Sequence, residues 1–235
     1  MSILITGVSS GIGHALAKHL LDQGKTVFGV SRRRPADLAG QARFRWHALD
    51  LARFDDVGPA VDALVPQGAK LDLVVLNAGI LGEIRDLAKT TIADLRHITD
   101  VNVWSCKVLL DALWKREATI AQVVGISSGA GVKGHRGWGG YAISKAALNM
   151  LMQIYAVERP DVHFTALAPG LVDTAMQEYT RSLPDTPEFA SVARLKAAHG
   201  TPAMPDAETF APRLAALFPA LLTHPSGSFL DVRNL

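Results

Sequence analysis

Ser2-Ile3-Leu4-Ile5-Thr6 runs directly into Gly7-Val8-Ser9-Ser10-Gly11-Ile12-Gly13, after which His14 to Gln23 carries a helical apolar period. The first five residues are short, apolar and partly β-branched, as a strand covered on both faces must be. Gly7 permits a tight turn, Gly11 lets backbone approach a ligand with no Cβ in the way, and Gly13 lets the helix pack close to the strand. The N–H groups of the first helical turn then face an anion. Strand, glycine turn and helix in this order predict a cradle for a dinucleotide pyrophosphate, with Ser9, Ser10 and Ile12 completing the loop. A glycine triplet alone is equally an ordinary turn, so its position after the first strand carries the weight.

Working outward, the same unit repeats. Apolar β-branched runs at Thr26 to Val30, Phe44 to Ala48, Leu71 to Leu76, Val123 to Ser127 and Phe164 to Ala168 alternate with amphipathic stretches at Val57 to Leu64, Ile92 to Arg116 and Tyr141 to Val157. A shorter run from Gly227 to Val232 is a candidate seventh strand. Right-handed crossovers of such units predict an α/β fold: one Rossmann-type, doubly wound parallel sheet of about seven strands with helices on both faces. Ligands are then expected at the carboxyl ends of the strands. The whole chain, 1–235, reads as a single domain. Within it Thr174 to Thr209 is denser in Pro, Ala and polar residues and has no strand pattern, and is expected to cover the substrate.

Composition agrees with one well-filled core: 235 residues, 49% hydrophobic and 20% charged. With 24 Lys plus Arg against 22 Asp plus Glu, the charge of +2 gives no general pull towards nucleic acid or a membrane. The single cysteine, Cys106, excludes an intrachain disulfide, reads as packing and fits a reducing, cytoplasmic setting. No apolar run reaches the roughly 18 residues of a membrane span; the longest, around Leu71 to Leu81, contains Asp72 and Asn77. A signal peptide is not expected either, since its removal would take the glycine turn with it. No metal-ligand spacing stands out.

Three residues separate the first two glycines, giving a TGxxxGxG form that resembles the short-chain dehydrogenase/reductase family. The resemblance implies a nicotinamide cofactor and further residues in order. At the end of the second strand stand Ser31-Arg32-Arg33-Arg34, with no carboxylate before Asp37. Asp or Glu there would hold the ribose 2′-hydroxyl of NAD, whereas guanidinium groups grip the 2′-phosphate of NADP, so NADP(H) is expected over NAD(H). A solvated run of three arginines is the plain alternative. Many NADP-using relatives carry a basic residue where Ser10 stands, so discrimination would rest on the arginines. Asp50-Leu51 matches the family's adenine position and Asn77-Ala78-Gly79 its NAG motif, although a cap and a turn would look the same.

Tyr141-Ala142-Ile143-Ser144-Lys145 places a phenol and an ammonium one helical turn apart on one face. A tyrosine with an ordinary pKa of about 10 needs help to exchange protons near neutral pH, and a nearby Lys⁺ is expected to lower it. Ser128 lies thirteen residues upstream, the family's spacing for a hydroxyl that stabilises charge on a carbonyl oxygen, with Ser127 its rival. Asn102 interrupts the Ile92 to Arg116 pattern; in the family an Asn here disturbs the helix and completes a proton relay between Lys and Tyr. Pro169-Gly170-Leu171-Val172-Asp173-Thr174 resembles the PG segment, in which groups near Val172 and Thr174 hold the nicotinamide carboxamide.

The resemblance therefore implies reduction of a ketone or aldehyde, or oxidation of the alcohol, with Asn102, Ser128, Tyr141 and Lys145 catalytic and Tyr141 and Lys145 also touching the cofactor. The substrate pocket is expected from Leu81, Ala130, Trp138, Leu171, Met176 and Tyr179, an apolar lining suited to a neutral carbonyl compound. The ending Ser226 to Arg233 looks like the sepiapterin reductase and benzil reductase branch, which points to a dicarbonyl or aromatic ketone. Relatives commonly pair through the helices corresponding to Ile92 to Arg116 and Tyr141 to Val157, so a homodimer or homotetramer is expected. A catalytically silent NADP-binding regulator would share the cradle, but the intact tetrad speaks against it. A nucleic-acid binder led by Arg32 to Arg34 lacks both net charge and motif, and a serine hydrolase lacks its Gly-x-Ser-x-Gly elbow.

Overall fold

A computed structural model describes residues 1–185 and 187–235. In chain order it forms β1 (Ser2–Thr6), α1 (Gly11–Asp22), β2 (Thr26–Ser31), β3 (Phe44–Ala48), α2 (Phe54–Leu64), β4 (Lys70–Leu71) and β5 (Leu73–Leu76). There follow α3 (Ile92–Thr99), α4 (Ser105–Lys115), β6 (Thr119–Ile120), β7 (Gln122–Ile126), α5 (Gly139–Glu158) and β8 (His163–Ala168). The chain ends with α6 (Ala175–Ser182), α7 (Ala190–Ala198), α8 (Ala207–Leu221) and β9 (Ser228–Asp231). The main sheet is seven-stranded and parallel throughout, in the order β3-β2-β1-β5-β7-β8-β9. β4 and β6 form a separate two-stranded ladder, so the single expected strand from Leu71 is broken at Asp72, whose carboxylate accepts from Ser2 N.

Strand alternation divides the core in two. Leu4, Val74, Leu76, Val123 and Phe164 face one side with α2, α4 and α5; Ile3, Ile5, Val75, Val124 and Leu167 face the other with α1 and α8. The two edge strands, β3 and β9, are the least buried of the sheet. Chain order reverses between β1 and β5, which opens a crevice at their carboxyl ends, where Thr6 and Asn77 stand. Two helices differ from their sequence patterns. The Ile92 to Arg116 stretch is α3 and α4 joined by a π turn, Asp100–Trp104, that contains Asn102. α8 has no counterpart in the periodicity reading. Residues 174–209 hold α6, a 3₁₀ turn at Pro187–Phe189 and α7, and no strand among the described residues; Thr186 lies outside those described. No helix of the described residues is long and apolar enough to cross a membrane.

Candidate active site

The cradle is held by side chains from two strand ends. Gly7 and Gly11 take φ of +79° and +61°, which favour glycine. A Cβ on Gly13 would stand 2.3 Å from Asn77 Nδ2 and 2.5 Å from the Gly7 carbonyl oxygen. Asn77 Nδ2 donates to the Thr6 carbonyl at 2.8 Å, and the Thr6 hydroxyl oxygen accepts from the N–H groups of Asn77 and Ala78, both at 2.9 Å. Asn77-Ala78-Gly79 is thus the clamp that ties the glycine turn to the end of β5. The Ser10 hydroxyl makes no cap bond, and the Thr174 methyl lies against Gly11.

The end of β2 is cationic. Ser31 is buried, accepting from Trp46 Nε1 and donating to the Arg33 carbonyl, which fixes the turn; Arg32, Arg33 and Arg34 are exposed and without an ion pair among the described residues. Asp37 turns away to His14, 3.0 Å off, whose hydrogen bond holds the carboxyl below its ordinary range. Asp50 does not cap α2: its carboxylate accepts from Ala52 N at 3.1 Å inside the preceding turn.

Ser128, Tyr141 and Lys145 meet at the carboxyl end of β7. Ser127 also borders the cavity, but its hydroxyl is buried and donates to Asn149 Oδ1. The Ser128 oxygen accepts from Ala130 N at 3.1 Å, starting a one-turn 3₁₀ segment. Lys145 is 4% exposed, donates to the Ile126 carbonyl at 2.7 Å and stands over the Tyr141 ring. Burial pulls its pKa down to about 8. Burial raises the Tyr141 phenol above its ordinary value, and a hydrogen bond from Ser128 pulls the other way. Asn102 uses its side-chain amide on the loop after β5, accepting from Ile80 N at 2.8 Å and donating to the Ile80 carbonyl and Ser144 Oγ, both at 2.9 Å. Buried Cys106 has its thiol pushed up to about 11, as a packing cysteine would.

One cavity of about 670 Å³ unites these parts. It is lined by Gly7, Ser9, Ser10, Gly11 and Ile12; by Ser31, Arg32, Asp50, Leu51, Asn77, Ala78 and Gly79; by Ser128, Tyr141 and Lys145; and by Pro169, Gly170, Val172 and Thr174. Gly13, Arg33 and Asn102 flank it without forming its wall. A crevice with positive-φ glycines, a cationic strand end and no room for a Cβ at Gly13 fits a dinucleotide. Among the described residues no His, Cys, Asp and Glu cluster could hold a metal ion.

The family model described as short chain dehydrogenase matches residues 1–184. This chain belongs to the short-chain dehydrogenase/reductase family. The benzil reductase ((S)-benzoin forming) of Saccharomyces cerevisiae is 33% identical over 195 residues, 76% of this chain and 74% of that protein. Sepiapterin reductase of Xenopus tropicalis is 33% identical over 208 residues, 79% of each chain. A crystal structure of a short-chain dehydrogenase/reductase from Saccharomyces cerevisiae superimposes with a TM-score of 0.84 at 28% identity, covering 98% of this chain and 95% of that one.

On this short-chain dehydrogenase/reductase frame the substrate end of the cavity differs from the sequence expectation. Ala130, Trp138, Leu171 and Met176 line it, but Leu81 is buried beneath Tyr141 in a small apolar cluster, and the Tyr179 hydroxyl oxygen accepts from Ile84 N at 3.4 Å outside the cavity wall. Trp138 bridges the site to α7: Nε1 donates to Ser191 Oγ at 2.7 Å and the ring packs edge-on against Tyr141. The lining is also less neutral than expected, because His97, Lys133, His135, Arg194, Asp231 and Arg233 join it. Arg233 is held by the Asp231 carboxylate and reaches between Gly129 and Gly170. Gln177, another lining residue missed by motif reading, has its Oε1 buried without a hydrogen-bond partner among the described residues. These residues lie in no motif; folding alone brings them to the strand ends.

Proposed function

We propose that the chain is an NADP(H)-dependent oxidoreductase that reduces a ketone or aldehyde to its alcohol, or runs the reverse. The observation that carries this reading is the convergence of Ser128, Tyr141 and Lys145 on the cavity that also contains the glycine cradle. Gly7, Ser9, Ser10, Gly11, Ile12 and Gly13 would hold the pyrophosphate; Ser31, Arg32 and Arg33 the 2′-phosphate; Asp50 and Leu51 the adenine; Asn77, Ala78 and Gly79 the underside of the cradle. Tyr141 and Lys145 would bind the nicotinamide ribose, and Pro169, Gly170, Val172 and Thr174 the carboxamide. NADP is preferred over NAD in this reading because three guanidinium groups, without ion pairs among the described residues, stand where a carboxylate would otherwise meet the ribose.

When bound, the nicotinamide supplies the hydride to the carbonyl carbon, or accepts it in reverse. Ser128 donates a hydrogen bond to the carbonyl oxygen as charge grows there. Tyr141, kept protonated by burial, gives its proton to that oxygen. Lys145 stabilises the phenolate left behind, and Asn102, through the π turn, completes the return path for a proton. The benzil reductase and sepiapterin reductase relatives, with Trp138, Leu171 and Met176 in the lining, favour a dicarbonyl or aromatic ketone. The 174–209 segment serves as a cover within a single domain, a cytoplasmic setting fits the single buried thiol, and the assembly is a homodimer or homotetramer. The test is a fluorescence titration with NADPH and NADH, followed by loss of nicotinamide absorbance with a panel of diketones. Tyr141→Phe should cut turnover by at least about 10³-fold with NADPH binding retained; undiminished turnover overturns the mechanism.

A further inference from the structure

The loop between the 3₁₀ turn at Gly129–Gly131 and α5 faces α7 across the mouth of the cavity. Lys133 and His135 come from the loop and Arg194 from α7, and all three line the cavity. Other cations of these segments have carboxylate partners, Arg136 with Asp86 at 2.7 Å and Lys196 with Asp185 at 2.6 Å, as does Arg181 of α6 with Asp173 at 2.6 Å. Lys133 and Arg194 have none among the described residues. The Trp138 Nε1 bond to Ser191 Oγ at 2.7 Å ties the loop to α7 one helical turn from Arg194, and burial together with Arg194 and Lys133 disfavours the charged form of His135. The lining carboxylates do not balance them, since Asp231 is held on Arg233 and Asp50 stands after β3 near Leu51. Arg32, the other lining guanidinium without an ion pair, stands at the end of β2, where the cofactor phosphate is expected.

We infer that Lys133, His135 and Arg194 form a subsite for an anionic oxygen group of the substrate, a carboxylate or phosphate ester remote from the carbonyl that Ser128 and Tyr141 handle. The inference rests on the carbonyl-reductase reading and adds its substrate class: an anionic keto compound, or the matching hydroxy compound in reverse. A guanidinium and an ammonium from separate elements grip such a group through charge-assisted hydrogen bonds, while Trp138 and Met176 cover its apolar body.

The experiment uses aryl diketones matched in all but one substituent: a carboxylate, a phosphate ester or a methyl ester. For the wild-type protein with NADPH, kcat/KM should be at least about tenfold higher for the anions than for the methyl ester, mainly through KM and weakening with salt. In Lys133→Glu/Arg194→Glu, and more mildly in the Gln/Gln pair, the ratio of anion to ester should collapse towards one, with the NADPH Kd unmoved. A wild-type ratio near one with good turnover of all three overturns the subsite and leaves the reductase reading standing. A weakened NADPH Kd with the ratio intact assigns the cations to the cofactor and also overturns it. If no diketone turns over, calorimetric titration into NADP⁺-saturated protein decides: anion-selective binding lost in the variants supports the subsite while the reductase reading fails, and equal binding overturns the subsite.

Discussion

Burial of the Lys145 ammonium, with the Ile126 carbonyl as its one protein acceptor among the described residues, pulls the pKa from 10.5 to about 8. Below pH 8 the folded and unfolded chains both carry the proton and the folded one bears the full desolvation cost. Between pH 8 and 10.5 the unfolded chain binds more protons, so this contribution raises stability as pH rises. Lys145→Met should therefore be more stable than wild type at pH 7 by about 2 kcal/mol, the desolvation relief less one lost hydrogen bond, with turnover abolished. Denaturant melts at pH 7 and pH 10 check this, and the gap should close at the higher pH; a less stable variant would show that burial is not the dominant effect. Gly13→Ala tests the cradle in the same way. Its methyl would meet Asn77 Nδ2 and the Gly7 carbonyl inside van der Waals contact, so Asn77 must leave Thr6. NADPH affinity should fall by at least about tenfold, with about 2 kcal/mol of stability lost. The glycine could be read from sequence because its strand and helix flank it, and Asn77 from its motif; the bond that joins them could not, since Asn77 lies at a separate strand end.

At the scale of elements, the π turn between α3 and α4 turns the Asn102 amide inward to bridge the loop after β5 and helix α5. Asn102→Leu would leave the Ile80 N–H and carbonyl and the Ser144 hydroxyl short of partners. We expect a loss of about 3 kcal/mol and a slower enzyme; a melt unchanged from wild type would remove the bridging role. Asn102 was visible in the sequence as a poor helix residue in a good helix pattern, although its bonds to Ile80 were not. Strand limits were legible to within a residue or two where apolar residues alternate between two cores, as in β1, β2 and β8. α8 was illegible because Pro212 and Pro219 interrupt it. Both prolines lie on its exposed face, seven residues apart, where water can take the carbonyls they leave unbonded, while Phe210, Leu214, Phe218 and Leu221 are buried opposite.

At the scale of the whole molecule, the near-zero net charge conceals the cations of one cavity, Arg32 from the end of β2 and the Lys133 and Arg194 pair, and no average over the chain could resolve them. The same holds for apolar surface. On α5, Ile143, Met150, Ile154 and Val157 are exposed at spacings of seven, four and three, which puts them on one helical face, and Val157 is 84% accessible. Trp104, at the end of the π turn, is also exposed. A folded chain with a full core gains nothing from leaving such a stripe in water, and covering it against a second copy removes apolar area on both partners at once. The proposed dimer or tetramer therefore predicts a mass of two or four times 25.1 kDa by light scattering. Ile154→Glu/Val157→Glu should shift the population towards 25.1 kDa by forcing two carboxylates into a buried apolar contact, with the fold retained by circular dichroism. A wild-type protein that is monomeric at micromolar concentration would remove this face as an interface, and a variant that still assembles would transfer the contact to another surface.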